Sequence, residues 1–330
     1  MSSKGFWMGD WMSKLPSSLH EKPLMNLCIP GSHDSFTCYL DRRGPLGNDQ
    51  PAWLQVLARI FPPLKRVVYN WSQCQVLSLR EQMESGVRYV DIRLTCQNNV
   101  IRTIHGLCGY DLETVLETID LFLTDHPKEV VLLDFNHFYN MTCSDHQRVV
   151  SRILTIFGSK CCPRPPFTEL TSLNLTTCWK HGWRVIVFYQ IPFHMMDCLA
   201  SVSPEPEMAD THPIPVPYVL WSCKYIKAPW ANTDRASALI EFLECALYRK
   251  KEILPEGGFF VAQGILTPRA KDVVLRPFST LRNRMGVPTI RVLIKWLSSR
   301  GRAFKPQLNI VISDFIETDE FCRKVIALNL

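Results

Sequence analysis

Short runs of apolar residues, mostly β-branched or aromatic, recur along this chain between longer stretches of helical spacing, and that alternation limits the folds open to it. The runs are Leu24 to Ile29, Val87 to Leu94, Val100 to His105, Val130 to Phe135, Trp183 to Tyr189, Gly258 to Gln263 and Leu308 to Ser313. Most are apolar almost without interruption, as parallel strands covered on both faces must be. Between them, Leu112 to Leu123, Asp145 to Phe157, Asp234 to Arg249, Thr289 to Ser298 and Thr318 to Leu328 place apolar residues three and four apart, the period of a helix packed on one side. Repeated strand-helix units predict an α/β architecture, either a (β/α) barrel or an open sheet. At 330 residues, one barrel domain spanning 1–330 accommodates the whole chain. Two segments break the rhythm and read as excursions from a barrel rim: 41–66, with an apolar helix-like piece from Ala52 to Phe61, and 203–217, with five prolines.

Hydrophobic residues make up 46% and charged residues 21%, the proportions of a chain that buries a core. The net charge of +6 is spread over small groups such as Arg42-Arg43, Lys65-Arg66 and Arg249-Lys250-Lys251. No stripe forms, which argues against a nucleic-acid partner, whereas a mild cationic bias suits an anionic lipid surface. Thirteen cysteines at irregular spacing, with no C-x-x-C pair, read as reduced buried thiols. With no signal-peptide pattern, no lipidation motif and no apolar run of spanning length, the expected location is cytoplasmic, with transient contact at membranes. Phe6, Trp7, Met8 and Trp11 could serve such contact, but Asp10 and Lys14 interrupt the apolar face, so a plug at the barrel bottom is the favoured role.

Polar exceptions cluster at one end of the strands. The turn Ile29-Pro30-Gly31-Ser32-His33-Asp34-Ser35 follows the first run; Pro30 is expected to end that strand and Gly31 to turn the chain, presenting His33 and Asp34 at its exit. Asp91 and Arg93 close the second run, His105 the third, Asp134 and Asn136 the fourth, and Asp314 the last. All are C-terminal strand ends, the face on which a (β/α) barrel assembles its active site.

These residues carry a resemblance. Gly31-Ser32-His33-Asp34-Ser35, Tyr89-Val90-Asp91-Ile92-Arg93, Ile104-His105-Gly106-Leu107 and Pro127 to Tyr139 look like the X domain of phosphatidylinositol-specific phospholipases C. Lys227 to Thr233 and Leu266-Thr267-Pro268-Arg269 narrow it to the vertebrate proteins that consist of the X domain and little else. The resemblance implies a distorted, incomplete TIM-type barrel. It also implies an inositol phospholipid substrate, cleaved at phosphorus to diacylglycerol and an inositol or cyclic inositol phosphate. Carried over by position, His33 matches the general base oriented by Asp314, and His105 matches the general acid partnered by Asp34. In the calcium-dependent branch an acidic residue stands where this chain has Arg93, and an Asn where it has Asp34. The departure implies that no metal or other cofactor is used and that the Arg93 guanidinium stabilises phosphoryl charge. Asp91 would hold Arg93 or complete the polar network, and Asp91, Asn136, Lys224, Lys227 and Arg269 are candidate substrate contacts. His137 is expected by strand alternation to point away.

Two other function classes stay open on the residues. One is a catalytically weak protein that keeps the pocket to bind inositol lipids. The other is a metal-dependent glycerophosphodiester phosphodiesterase, disfavoured because His33-Asp34 and Asp91-Ile92-Arg93 stand where that class uses His-Arg and Glu-x-Asp. The paired acid and base predict a pH-rate curve falling on both sides of neutrality.

Overall fold

The computed structural model describes residues 8–166, 168–202 and 218–330. The strands are β1 (Ile29–Ser32), β2 (Tyr89–Gln97), β3 (Val100–His105), β4 (Leu107–Asp111), β5 (Val131–Tyr139), β6 (Val185–Tyr189), β7 (Leu220–Trp221), β8 (Ile226–Lys227), β9 (Phe259–Gln263) and β10 (Ile310–Ser313). The α-helices are α1 (Ser17–His20), α2 (Ala52–Ile60), α3 (Pro63–Ser72), α4 (Leu79–Glu84), α5 (Leu112–Asp125) and α6 (Cys143–Phe157). They continue with α7 (Leu175–His181), α8 (Ala236–Tyr248), α9 (Lys250–Ile253), α10 (Ala270–Leu275), α11 (Val287–Leu297) and α12 (Phe321–Ala327). Eight parallel strands follow the order β7-β6-β5-β2-β1-β10-β9-β8. The sheet curls until Phe188 of β6 meets Phe259 of β9, ring centres 5.3 Å apart, but among the described residues no ladder joins its end strands β7 and β8. It is a distorted, incomplete TIM-type (β/α) barrel, as the resemblance implied, and one of the two architectures that the strand-helix alternation allowed.

Inward side chains explain the continuous apolar runs. Ile29, Tyr89, Leu132, Ile186, Phe188, Phe259, Val261, Ile310 and Ile312 form the barrel interior, closed from below by Trp11, Leu24 and Leu27. The alternate residues face the helices: Val90, Ile92, Leu133 and Phe135 meet α5 and α6, whereas Phe260, Ala262 and Val311 meet α8, α11 and α12. Trp11 is wholly buried and donates its indole N–H to Gly86 O at 2.9 Å, so it plugs the bottom rather than reaching lipid. Phe6 and Trp7 lie outside the described residues, as does the 203–217 excursion. The guanidinium of Arg88, fully buried, ties this floor together by pairing with Glu129 at 2.8 Å and donating to the carbonyls of Met83, Val87 and Gly9.

Several expectations need correction. Leu24 to Asn26 is a 3-10 turn, and the first strand begins only at Ile29 and runs through Pro30. Pro30 is tolerated in this central strand because its missing N–H falls below Gly31↔Tyr89, the first pair with β2, while its carbonyl accepts from the Arg88 N–H at 2.9 Å. Gly31 supplies space rather than a turn, since a Cβ there would stand 2.8 Å from both Ile312 Cγ2 and Tyr89 Cδ1. The run Val100 to His105 is not a parallel strand: β2, β3 and β4 form antiparallel hairpins, because two- and one-residue links cannot cross over. The C-terminal helix starts at Phe321 instead of Thr318, with Asp319 and Glu320 in left-handed conformations. Cys143 is disulfide-bonded to Cys198, contrary to the reading of all thiols as reduced; the other eleven cysteines are free. Within 41–66, the helix-like piece is α2, running on into α3.

Gly31→Ala overpacks the interior against β-sheet neighbours that cannot withdraw. It is expected to cost about 1–3 kcal/mol, read as a lower midpoint in denaturant melts; an unchanged midpoint would show that the interior is looser than these contacts.

Candidate active site

On each long strand the inward positions run from apolar to polar toward the C-terminal end. The series are Ile29, Gly31, His33; Tyr89, Asp91, Arg93; Leu132, Asp134, Asn136; Ile186, Phe188, Gln190; and Ile310, Ile312, Asp314. The uppermost layer therefore converges over a dry floor, where a charge is tolerated only if it is paired.

The turn after β1 carries the centre. Asp34 is left-handed (φ 42°), a region Asp enters more readily than most residues, and its N–H donates to Asp91 Oδ2 at 2.9 Å. Gln75 pins the turn from outside by donating Nε2 to the carbonyls of His33 (2.9 Å) and Ser313 (3.0 Å). One Asp34 carboxylate then meets three partners: Arg93 Nε at 2.7 Å from Oδ1, His33 Nε2 at 3.2 Å and His105 Nε2 at 3.3 Å from Oδ2. The Arg93 contact lies off the N–H axis, so this buried N–H has no hydrogen-bond acceptor among the described residues. On the far side of each ring, His33 Nδ1 donates to Asp314 Oδ1 at 2.8 Å and His105 Nδ1 to Ser72 O at 2.7 Å. The two imidazole centres are 6.3 Å apart.

Burial opposes a charge on His33, yet Asp34 and Asp314 outweigh it and raise its pKa from 6.5 to about 9. Arg93 pulls the other way: its Nη2, 3.0 Å from His33 Nε2, can only donate, so that contact needs the neutral ring. Burial would raise Asp34, but Arg93, His105 and His33 hold it down to about 2. A second carboxylate behaves oppositely. Asp134 is pushed up to about 6 by burial, although it accepts from Tyr89 (2.6 Å) and Gln190 (2.7 Å).

His33, Asp34, Arg93, His105 and Asp314 are thus brought together. Asp91 joins them, but its nearest approach to Arg93 is 3.7 Å, and its hydrogen bonds go to Asp34 N and to Asn136 Nδ2 at 2.7 Å. Asp34 rather than Asp91 is the main counter-ion of Arg93. Three candidate substrate contacts form no hydrogen bond or ion pair with these residues. Lys224 is exposed and paired with Glu256 ahead of β9, at the opposite strand end. Lys227 alternates with inward Ile226 and so faces outward. Arg269 is exposed and donates to Asn232, tying two loops. His137 turns toward the site, against expectation, because a bulge inserts Asn136 and pairs His137 with inward-facing Arg93. Gln75 and Cys74 escaped sequence reasoning; their segment has no periodic pattern, and Gln75 works across 238 residues.

A curled, incomplete (β/α) barrel whose C-terminal rim gathers two histidines, an arginine and carboxylates defines the class of protein. Residues 67–190 match the family model described as phosphatidylinositol-specific phospholipase C, X domain. Over 327 residues the chain is 39% identical to mouse PI-PLC X domain-containing protein 2, covering 97% of this chain and 87% of that one. It is 33% identical to human PI-PLC X domain-containing protein 1, covering 97% and 92%. The chain belongs to the PI-PLC X domain-containing family. Among solved structures, the phosphatidylinositol-specific phospholipase C of Listeria monocytogenes superposes with a TM-score of 0.64 at 18% identity, covering 98% of this chain and 99% of that one. A single-site mutant of the phosphatidylinositol-specific phospholipase C from Staphylococcus aureus superposes at 0.63 and 17% identity, covering 98% and 96%. At these identities the likeness is one of fold.

Asp314→Asn removes one of the two carboxylates that raise His33. Imidazole NMR is expected to follow the His33 titration from about 9 down toward its ordinary value; a titration that stays put would assign the shift to Asp34 alone.

Proposed function

We propose that this protein is a phosphoric diester hydrolase acting on phosphatidylinositol-type lipids by metal-independent acid-base catalysis. One observation carries the reading: two imidazoles meet at one carboxylate that also holds an arginine, and each ring is held at its far nitrogen by an acceptor. His33, with Nδ1–H on Asp314, directs its Nε2 lone pair inward to take the inositol 2-hydroxyl proton. The freed oxygen attacks phosphorus, and His105 gives a proton to the departing diacylglycerol oxygen, leaving a cyclic phosphate. Attack from within the substrate needs little beyond positioning and proton transfer. Arg93 rests on His33 Nε2; swinging its guanidinium onto a phosphoryl oxygen would expose the base and engage its unpaired N–H together. The Asp34 carboxylate, the natural anchor for Ca²⁺, is occupied by Arg93, His33 and His105, and Ca²⁺ wants six to eight oxygen donors.

Purified protein on phosphatidylinositol vesicles is expected to release headgroup in chelator, without stimulation by Ca²⁺, and to lose about 10²- to 10⁴-fold in rate as His33→Ala or His105→Ala. Because the base form of His33 grows as pH approaches about 9, the rate should climb from neutral into that range. A requirement for Ca²⁺ would overturn the role of Arg93. The high proton affinity of His33 favours one competing reading, an inositol-lipid binder with little turnover; vesicle binding without headgroup release up to about pH 9 would establish it.

Lipid contact would be made from the same rim. The connections that follow β1 and β9 expose Trp53, Ile60 (77%) and Phe61, and Val274, Leu275 and Phe278 (92%), beside Arg59, Arg66, Lys271 and Arg276. Among the described residues no helix is long and apolar enough to cross a membrane, so this contact would be peripheral. Burying a large apolar side chain is worth roughly 1.5–3 kcal/mol. Ile60→Ser with Phe278→Ser is therefore expected to weaken binding to phosphatidylinositol vesicles by about tenfold or more while sparing a monomeric short-chain substrate. Unchanged binding would place the contact elsewhere.

A further inference from the structure

His137 has no part in the proposed hydrolysis, yet it stands on the same rim. The bulge at Asn136 sets it in register with Arg93, and its ring lies nearly parallel to that of Tyr139, at 12° with centres 6.3 Å apart. Its protonation pattern follows from its neighbours. Asn136 Nδ2 lies 2.7 Å from Asp91 Oδ1 and 3.3 Å from Asp134 Oδ2, so the amide must turn its N–H groups to these carboxylates and its Oδ1 the other way. That oxygen, 2.7 Å from His137 Nδ1, can only accept, which places the ring proton on Nδ1 and leaves a lone pair on Nε2. Among the described residues no hydrogen bond reaches that Nε2. Partial burial and the Arg93 charge lower the pKa of His137, the reverse of the shift at His33, so the ring is largely neutral at physiological pH and keeps its lone pair. The other oxygen of Asp91 holds the Asp34 N–H at 2.9 Å, so one chain of hydrogen bonds joins His137 to the turn after β1.

We propose that His137 is a specificity-determining residue of this site, accepting at Nε2 a hydrogen bond from a hydroxyl of a polyol headgroup ring. The inference rests on the hydrolase reading for the identity of that headgroup. Strands β1, β2 and β5 are neighbours in the sheet, so His33, Arg93 and His137 stand on three successive strands. Two strand spacings, about 10 Å, match a six-membered ring with one hydroxyl hydrogen bond at either end. His33 would then meet the reacting hydroxyl and His137 one on the far side of the ring. Behind His137 stand the carboxylates of Asp91 and Asp134, linked to it through Asn136. This part of the rim therefore offers acceptors, which suit hydroxyl donors and disfavour an anionic substituent. His137 makes and breaks no covalent bond in this role.

The probe is myo-inositol, titrated into the full-length protein and followed by imidazole nitrogen NMR, with the His137 signals assigned from His137→Gln. Free protein is expected to show a protonated Nδ1 and a bare Nε2, and saturation to move the Nε2 signal in the direction of an accepted hydrogen bond. His137→Phe, which keeps a ring without an acceptor, should weaken myo-inositol binding about three- to tenfold, the worth of one neutral hydrogen bond. His137→Gln, whose amide oxygen can accept, should recover part of that loss. Among deoxyinositols each lacking one hydroxyl, one is expected to bind wild type and His137→Phe alike, which identifies the partner hydroxyl. No binding of myo-inositol, a proton on Nε2 in the free protein, an Nε2 signal unmoved at saturation, or equal affinity of wild type and His137→Phe overturns the proposal. So does a defect of His137→Phe confined to hydrolysis of the cyclic phosphate, which would make His137 a base for water. Binding is read without turnover: inositol held at His137 with no headgroup release sinks only the hydrolase reading, and release from phosphatidylinositol that His137→Phe leaves unchanged sinks only this one.

Discussion

A charge set on an apolar layer must find a partner, and the upper half of this barrel is organised by that requirement. The interior beneath the rim is built from Ile29, Tyr89, Leu132, Ile186, Phe188, Ile310 and Ile312, an apolar layer that offers almost nothing to solvate the charges above it. Asp34, Asp91, Asp134, His33 and Asp314 are nearly or wholly buried, and each is bound to a neighbour. Lone carboxylates there would cost several kcal/mol each, so the cluster assembles as a unit or not at all. Gly31 belongs to the same constraint from below, since only a missing side chain lets Ile312 and Tyr89 close the floor under His33.

Asp34 is the junction of that cluster. Its left-handed backbone, fixed by Asp91 and by the clamp of Gln75 on the neighbouring carbonyls, aims one carboxylate at an arginine and two imidazoles. Opposite forces meet at His33, where two carboxylates favour the proton and outweigh the burial and the Arg93 charge that oppose it.

Much of this was present in the residue pattern. Parallel strands buried on both faces read as apolar runs, and the shift to polar residues at their C-terminal ends pointed to the rim. Strand starts were misplaced because hydrophobicity reports burial and not pairing: Val87 packs under α12 before β2 begins its ladder, and Leu24 and Leu27 close the barrel floor from an irregular segment. The hairpins β2-β3-β4 have the same composition as parallel strands, and only their one- and two-residue links betray them. Lys224, Lys227 and Arg269 lie near suggestive motifs, but charge carries no direction: Lys224 pairs with Glu256, Arg269 with Asn232, and alternation turns Lys227 outward.

By itself, the sequence determined the α/β class and the strand ends at which His33, Asp34, Arg93, His105 and Asp314 stand, because these depend on periodicity and residue type within short segments; barrel over open sheet followed only from the family resemblance. Only the tertiary structure decided how those groups share charge. The bulge at Asn136 that swings His137 inward, the placement of Gln75 against His33 and Ser313, and the entry of Cys74 into the cluster all arise from contacts between distant segments. Local pattern cannot encode such distances, and electrostatic energies depend on them directly.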